Sequence, residues 1–339
     1  MDKSSKKLKR VFKYAILFII FYGVLLTFTN LKNLTRHFFE IDLHFFLIAV
    51  GFSFLVYLIE GIFLLLSLRL FDERLPLIHA LRYSLIINSI GYFVSFGGLT
   101  PFATQVHVLD HHDIGYQKAT AARVIQVIYF NFFFILLLGL GLISILKYRT
   151  QSLFSLPIVV VTVGFFFLLI AVFYLAIFWK TFQETVMKSF FGFLNAVIRL
   201  FSKRIVLNPT WPRQLLGEFL NGFRTIVKRP SYLFVLFILS VVDWSLWISV
   251  IYFCFRSMNY PIHFGVLVIG FSIGQIVGIL SMLPGGAGAM EGSMALVYSS
   301  LSVHLATAVG AILLYRLAFY VIPFLACLPF YFSLRHRKH

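Results

Sequence analysis

Charge is what this sequence has least of. Of 339 residues only 12% are charged, against 60% hydrophobic and 18% aromatic. A soluble domain is about a quarter charged. With a mean hydropathy of +0.93, the composition excludes an ordinary soluble chain and points to an integral membrane protein whose length is mostly consumed by spans of ~20 residues each. Acid is scarcer still, with 12 Asp and Glu against 29 Lys and Arg, a net charge of +17. That excess fits the positive-inside bias and a basic interfacial surface, which attracts anionic headgroups. No stretch is long, polar and basic enough to be a nucleic-acid-binding domain, so no nucleic acid is expected as a partner.

Other absences narrow the chemistry. There are two cysteines, Cys254 and Cys327, both in apolar runs. They make no CxxC pair and no disulfide framework, and read as small buried hydrophobes. No Walker A sequence is present, nor GxSxG, nor HExxH, which argues against ATP drive, serine-type hydrolysis and a zinc centre. The group His107, Asp110, His111, His112 and Asp113 looks metal-like, but adjacent histidines cannot face one side of a helix. It reads as a solvated, mildly pH-sensitive surface. No cofactor and no metal are expected.

What is present is a succession of apolar runs. Met1–Lys13 is short and basic, and Tyr14–Phe28 follows without a small-residue cleavage site before Asn30. This predicts an uncleaved first helix with its N-terminus in the cytoplasm. Further spans are predicted at Phe45–Leu68, Tyr83–Phe96, Val124–Leu146 with Arg123 at its start, Leu156–Trp179, Ser231–Phe255, Phe264–Leu283 and Ala306–Phe332, with a partial helix at Ala289–Leu301. The fold class is therefore an all-α polytopic membrane protein, one domain over 1–339. It has about eight transmembrane helices, some re-entrant or broken, in two pseudo-repeated halves. These halves are 45–146 and 231–335, joined by a basic, amphipathic linker at 180–230 that lies in the interface.

The repeat rests on a shared order of features. Glu60, Pro76, Gly97-Gly98 and Arg123 are followed in the second half by Asp243, Pro261, Gly285-Gly286 and Arg316. Repeated halves with broken helices in matching places are a transporter signature. Eight full spans from a cytoplasmic N-terminus put the basic 180–230 segment outside, against the charge rule, so a parallel and an inverted arrangement both stay open.

The stretch Leu283-Pro284-Gly285-Gly286-Ala287-Gly288-Ala289-Met290-Glu291 concentrates the anomaly. Pro284 removes an N–H, and Gly285, Gly286 and Gly288 free the backbone to leave the helix. Glu291 then follows at a depth where charge is expensive, and Arg316 stands in the next apolar run. A buried Glu291–Arg316 pair has two readings. In one, Arg316 binds an anionic headgroup or phosphate while amides after Gly286 and Gly288 act as a helix N-terminus. In the other, the pair is a clamp on the broken helix. Glu60, Arg123 and Asp243 form a secondary set: Glu60 can pair with Arg123 across spans, and Asp243 beside Trp244 is placed near an interface. Gln275 reads as an interhelical hydrogen-bonder.

The run Leu283–Glu291, followed by Leu314-Tyr315-Arg316-Leu317 and Pro323, resembles the lysylphosphatidylglycerol synthase transmembrane region, or flippase-like domain, family. The likeness extends over roughly Val11 to Phe332. Gly97-Gly98-Leu99-Thr100-Pro101 with Arg123 is similar to a degenerate first glycine motif; the acid and arginine that commonly follow it are missing from Phe102–Leu109. The resemblance implies a membrane domain that moves or presents polar lipids, and it adds Tyr315 and Pro284 to the headgroup-binding candidates. It further implies a prokaryotic cytoplasmic membrane. The soluble aminoacyl-transferase domain of longer members is expected to be absent, since the sequence ends at His339. The expected function is flippase-like transport of an anionic, aminoacylated or glycosylated lipid, without catalytic residues. The alternative is an enzyme or membrane subunit of lipid-linked glycosyl- or aminoacyl-transfer. Membrane lipids are the expected partners, with a homo-oligomer or partner enzyme also open.

Overall fold

The structure, a computed structural model, describes residues 41–93, 99–148 and 230–335. The expected spans Tyr14–Phe28 and Leu156–Trp179, the 180–230 linker and the Gly97-Gly98 pair lie outside the described residues. Within them every regular element is helical. Four helical stretches are long and apolar enough to cross a membrane: Leu43–Arg69, Tyr116–Ile145, Phe234–Ser257 and Leu305–Ser333. The protein is an all-α polytopic membrane protein.

The elements follow from local chemistry. Helix α1 spans Leu43–Arg69, and the Asp42 side chain accepts the His44 amide at 2.9 Å at its start, as a capping carboxylate does. Asp72 adopts a left-handed backbone (φ 59°) just after the helix. Pro76 then precedes α2, Leu77–Phe93, where its missing N–H costs nothing. Helix α3 is Leu99–Leu109, with Pro101 in the first turn. A single 3₁₀ turn, Asp110–His112, leads on to α4, Tyr116–Tyr148. Arg123 therefore lies two turns inside a helix rather than at its start, because Tyr116-Gln117-Lys118-Ala119-Thr120 continues the helical run that hydropathy alone begins at Val124.

Helix α5 runs Pro230–Ser257 and stops at Asn259 (φ 55°). Helix α6, Phe264–Leu280, is capped by the His263 ring, which accepts the Gly265 amide. At 17 residues it is ~25 Å long, short of the ~30 Å hydrocarbon core. It ends before the predicted Leu283, and the chain turns at Pro284–Gly286 into α7, Ala289–Ser300. After Ser302 (φ 69°) come α8, Leu305–Arg316, a π-helical segment Leu317–Val321, and α9, Ile322–Arg335.

The described residues fall into two compact units, one of 41–58, 85–93, 99–104 and 245–335, the other of 59–84, 105–148 and 230–244. In the first, α7 packs antiparallel on α6. A Cβ on Gly270 would collide with the Tyr298 ring, one on Gly274 with Met294, and one on Gly278 would sit 3.2 Å from Met290. Glycine every fourth residue on α6 thus meets large side chains every fourth residue on α7. Small residues let helices approach closely where no hydrophobic drive separates helix from lipid.

Candidate functional site

The site in the first unit is built on the turn between α6 and α7. Gly285 (φ 62°), Gly286 (φ 65°) and Gly288 (φ 83°) all have left-handed backbones, which L side chains adopt only at a cost. Gly286 also lies against Gly278, whose Cα is 2.9 Å from where its Cβ would be. The sequence-predicted break is therefore a turn that folds the chain back on itself. It leaves α7 beginning with first-turn amides that have no acceptor in the helix itself.

Glu291 sits in that first turn, 4% exposed, and Arg316 on α8 is 1% exposed. They meet: Arg316 Nε lies 2.7 Å from Glu291 Oε1. Glu291 Oε2 accepts the Gly288 amide at 2.8 Å, so the carboxylate caps its own helix and complements its N-terminal dipole. Arg316 Nη1 donates to the Gly285 carbonyl at 2.8 Å. One guanidinium thus binds the turn through a carbonyl and the new helix through its carboxylate. An isolated charge at bilayer centre costs ~2.5–3.5 kcal/mol on insertion scales, and here each ion supplies the other's offset. The guanidinium carbon also lies 4.2 Å from the Tyr320 ring centroid, within cation–π range.

Tyr315 is fully buried, and its hydroxyl accepts from Gln275 Nε2 at 3.3 Å, the expected interhelical bond. The aromatic shell around it was not legible from the motif. Phe271 meets Tyr315 at 5.7 Å, Tyr315 stacks on Phe319 at 5.6 Å, and Trp247 lies 4.2 Å from Phe319. Tyr57 on α1 also stacks on Phe319, at 5.7 Å. Phenylalanine abundance hid these rings, since 42 residues of the chain are Phe. The Gly270, Gly274, Gly278 spacing was the available signal for the α6–α7 packing.

The secondary candidates gather in the second unit. Glu60 on α1 is 1% exposed, Arg123 on α4 is 7% and Asp243 on α5 is 1%. Asp243 is close enough to both for their charges to act on it. Arg123 Nη1 donates to Gln126 Oε1 at 2.9 Å. The expectation that Asp243 lies near an interface is corrected: it stands midway along Pro230–Ser257 and is buried. Its neighbour Trp244 misled, because the indole does not reach for headgroups; Nε1 donates to the Phe130 carbonyl at 2.7 Å. The His107–Asp113 segment is helix and 3₁₀ turn, with no buried residue in Asp110–His112.

Residues 11–327 match the family of the lysylphosphatidylglycerol synthase TM region. A UPF0104 membrane protein of Methanothermobacter thermautotrophicus is 26% identical over 206 residues, which is 60% of this chain and 60% of the relative. A phosphatidylglycerol lysyltransferase of Staphylococcus haemolyticus is 23% identical over 350 residues, covering 100% of this chain and 36% of the relative. A phosphatidylglycerol lysyltransferase of Bacillus subtilis is 37% identical over 110 residues, 31% of this chain and 12% of the relative. The matches cover 60%, 36% and 12% of these relatives' lengths, under two thirds of each.

Proposed function

This chain belongs to the lysylphosphatidylglycerol synthase transmembrane-region family, and we propose that it is a flippase-like transporter of a polar membrane lipid with an anionic, aminoacylated or glycosylated headgroup. The observation that carries the reading is the Glu291–Arg316 pair at 2.7 Å, set where a membrane helix is broken. A lipid phosphate is an oxyanion like the carboxylate it would meet. Exchange of one for the other at Arg316 keeps the guanidinium neutralised while the headgroup passes, and the tails stay in the bilayer. The first-turn amides of α7 are further fixed donors for that anion. Glu291, released, takes a proton or counter-charge. Gly285, Gly286, Gly288 and Pro284 form the turn beside this exchange, and Tyr315 and Gln275 link α8 to α6.

Two repeated halves are part of this reading. The helices of the first half have 27, 17, 11 and 33 residues. Those of the second have 28, 17 and 12, and then a continuous stretch of 29. A long, short, short, long order in both is what paired broken hairpins would give. The N-terminus is assigned to the cytoplasm on the charge of Met1–Lys13.

The test is headgroup translocation in proteoliposomes, across a panel of anionic, aminoacylated and glycosylated lipids. Acceleration over protein-free vesicles, lost in Arg316→Gln, is the expected result. No acceleration for any lipid in the panel would end the reading. The names of the lysyltransferase relatives favour one alternative, a membrane enzyme or subunit of lipid-linked aminoacyl- or glycosyl-transfer. It requires product formation in membranes carrying this chain, lost in Glu291→Gln.

A further inference from the structure

We propose that Glu60, Arg123 and Asp243 form a binding site for one exchangeable proton inside the membrane-spanning helices, with the proton seated on Asp243. Neither oxygen of Asp243 has a hydrogen-bond partner among the described residues, although the side chain is 1% exposed. Two further groups bear on it, the Glu60 carboxylate from α1 and the Arg123 guanidinium from α4. With both acids ionised, the cluster would carry two negative charges and one positive, all withdrawn from water. One added proton brings it to neutrality. Two carboxylates that share a site do not both ionise readily, and the proton goes to the one with fewer stabilising donors.

The surroundings separate a proton from a metal cation. Arg123 already places a fixed positive charge beside the acids, which repels a second cation but not the neutralising proton. The side-chain oxygen of Gln126 is turned to Arg123, so it is committed as an acceptor there. A sodium ion would need several oxygen ligands in place of these. Asp243 is also distinct from Glu291, whose Oε1 lies 2.7 Å from the Arg316 Nε and whose Oε2 accepts the Gly288 amide. The proton site stands independently of the transport reading, because it needs no lipid.

Infrared difference spectroscopy of the purified full chain in nanodiscs tests it. A protonated carboxyl has a C=O stretch separate from the carboxylate bands, and that stretch shifts when the acidic proton is replaced by deuterium. The expected result is such a band at neutral pH, reversibly lost on raising pH while the protein stays folded. It should disappear in Asp243→Asn. If that variant does not fold, wild-type protein carrying ¹³C-carboxyl aspartate supplies the same test, since the band must then move. A band that is absent, that never titrates, that persists in Asp243→Asn, or that moves with labelled glutamate instead overturns the proposal. Loss of the band on adding sodium at constant pH would also overturn it. Headgroup translocation can fail in every lipid tested without altering any of these outcomes.

Discussion

The Tyr57 hydroxyl donates to the backbone carbonyl of Phe319 at 2.9 Å, across 262 residues of sequence. The bond has a cause in the chain. In an α-helix the donor to that carbonyl would be the amide of residue 323, and residue 323 is proline, which has none. The helix responds with a π-helical segment at Leu317–Val321 directly after Arg316, and a tyrosine on α1 fills the vacancy. Single π turns inside α-helices often mark functional positions. Here the turn directly follows Arg316, whose Nε lies 2.7 Å from Glu291 Oε1.

Tyr57→Phe should therefore destabilise the protein while leaving the ring stack on Phe319 in place. A buried carbonyl left without its donor costs about 1–3 kcal/mol. Thermal unfolding in detergent should show a lower midpoint for Tyr57→Phe. An unchanged midpoint would mean that the Phe319 carbonyl finds another donor.

The ion pair makes a second prediction with an internal control. Removing one partner leaves a buried charge uncompensated, which costs about 3–5 kcal/mol, whereas replacing both removes the imbalance. Glu291→Gln and Arg316→Met should each lower stability sharply. The double variant should be less destabilised than the sum of the singles, because residues in direct contact are coupled. Glu291→Gln should be the milder of the two, since its amide oxygen can still accept the Gly288 N–H. Additive losses would show that the two side chains do not interact.

Much of this arrangement was written in short-range sequence. Proline and three glycines in five residues (Pro284, Gly285, Gly286, Gly288) signal a break whatever surrounds them, and Glu291 is spaced to cap the helix that follows. Gln275 as an interhelical bonder was likewise legible, because a lone amide in an apolar run needs a partner. Placement of Asp243 was not. Its burial depends on which helices surround α5 at that level, and an adjacent tryptophan looks the same at an interface as in a core. The Tyr57–Phe319 bond was hidden for a related reason: Pro323 shows which carbonyl loses its donor, but nothing local shows who replaces it.

The glycines separate by what faces them. A Cβ on Gly270 would collide with the ring of Tyr298, and that ring is tied by its hydroxyl to the Leu267 carbonyl at 3.0 Å. It cannot yield, so Gly270→Ala should cost about 1–3 kcal/mol, as overpacking does. Nothing lies within 4 Å of a Cβ on Gly292. Gly292→Ala should stabilise the helix by about 0.5–1 kcal/mol, because alanine loses less backbone freedom. The pair of variants should move the unfolding midpoint in opposite directions; a drop in both would place something against Gly292.

A salt bridge at the surface should behave differently from the buried one. Lys118 Nζ lies 2.8 Å from Glu73 Oε1, with side chains 36% and 26% exposed. The two distances, 2.8 Å here and 2.7 Å for Arg316 and Glu291, are nearly equal, so geometry alone would rank the pairs together. Surroundings decide otherwise. Water and salt screen the exposed pair, and ordering two long side chains offsets part of the attraction, leaving ~0–1 kcal/mol. Lys118→Met should therefore shift the unfolding midpoint little, and raising the salt concentration should shrink even that shift. The Arg316→Met loss should persist in high salt, because ions do not reach a guanidinium that is 1% exposed. Equal salt sensitivity of the two variants would mean that solvent reaches Arg316.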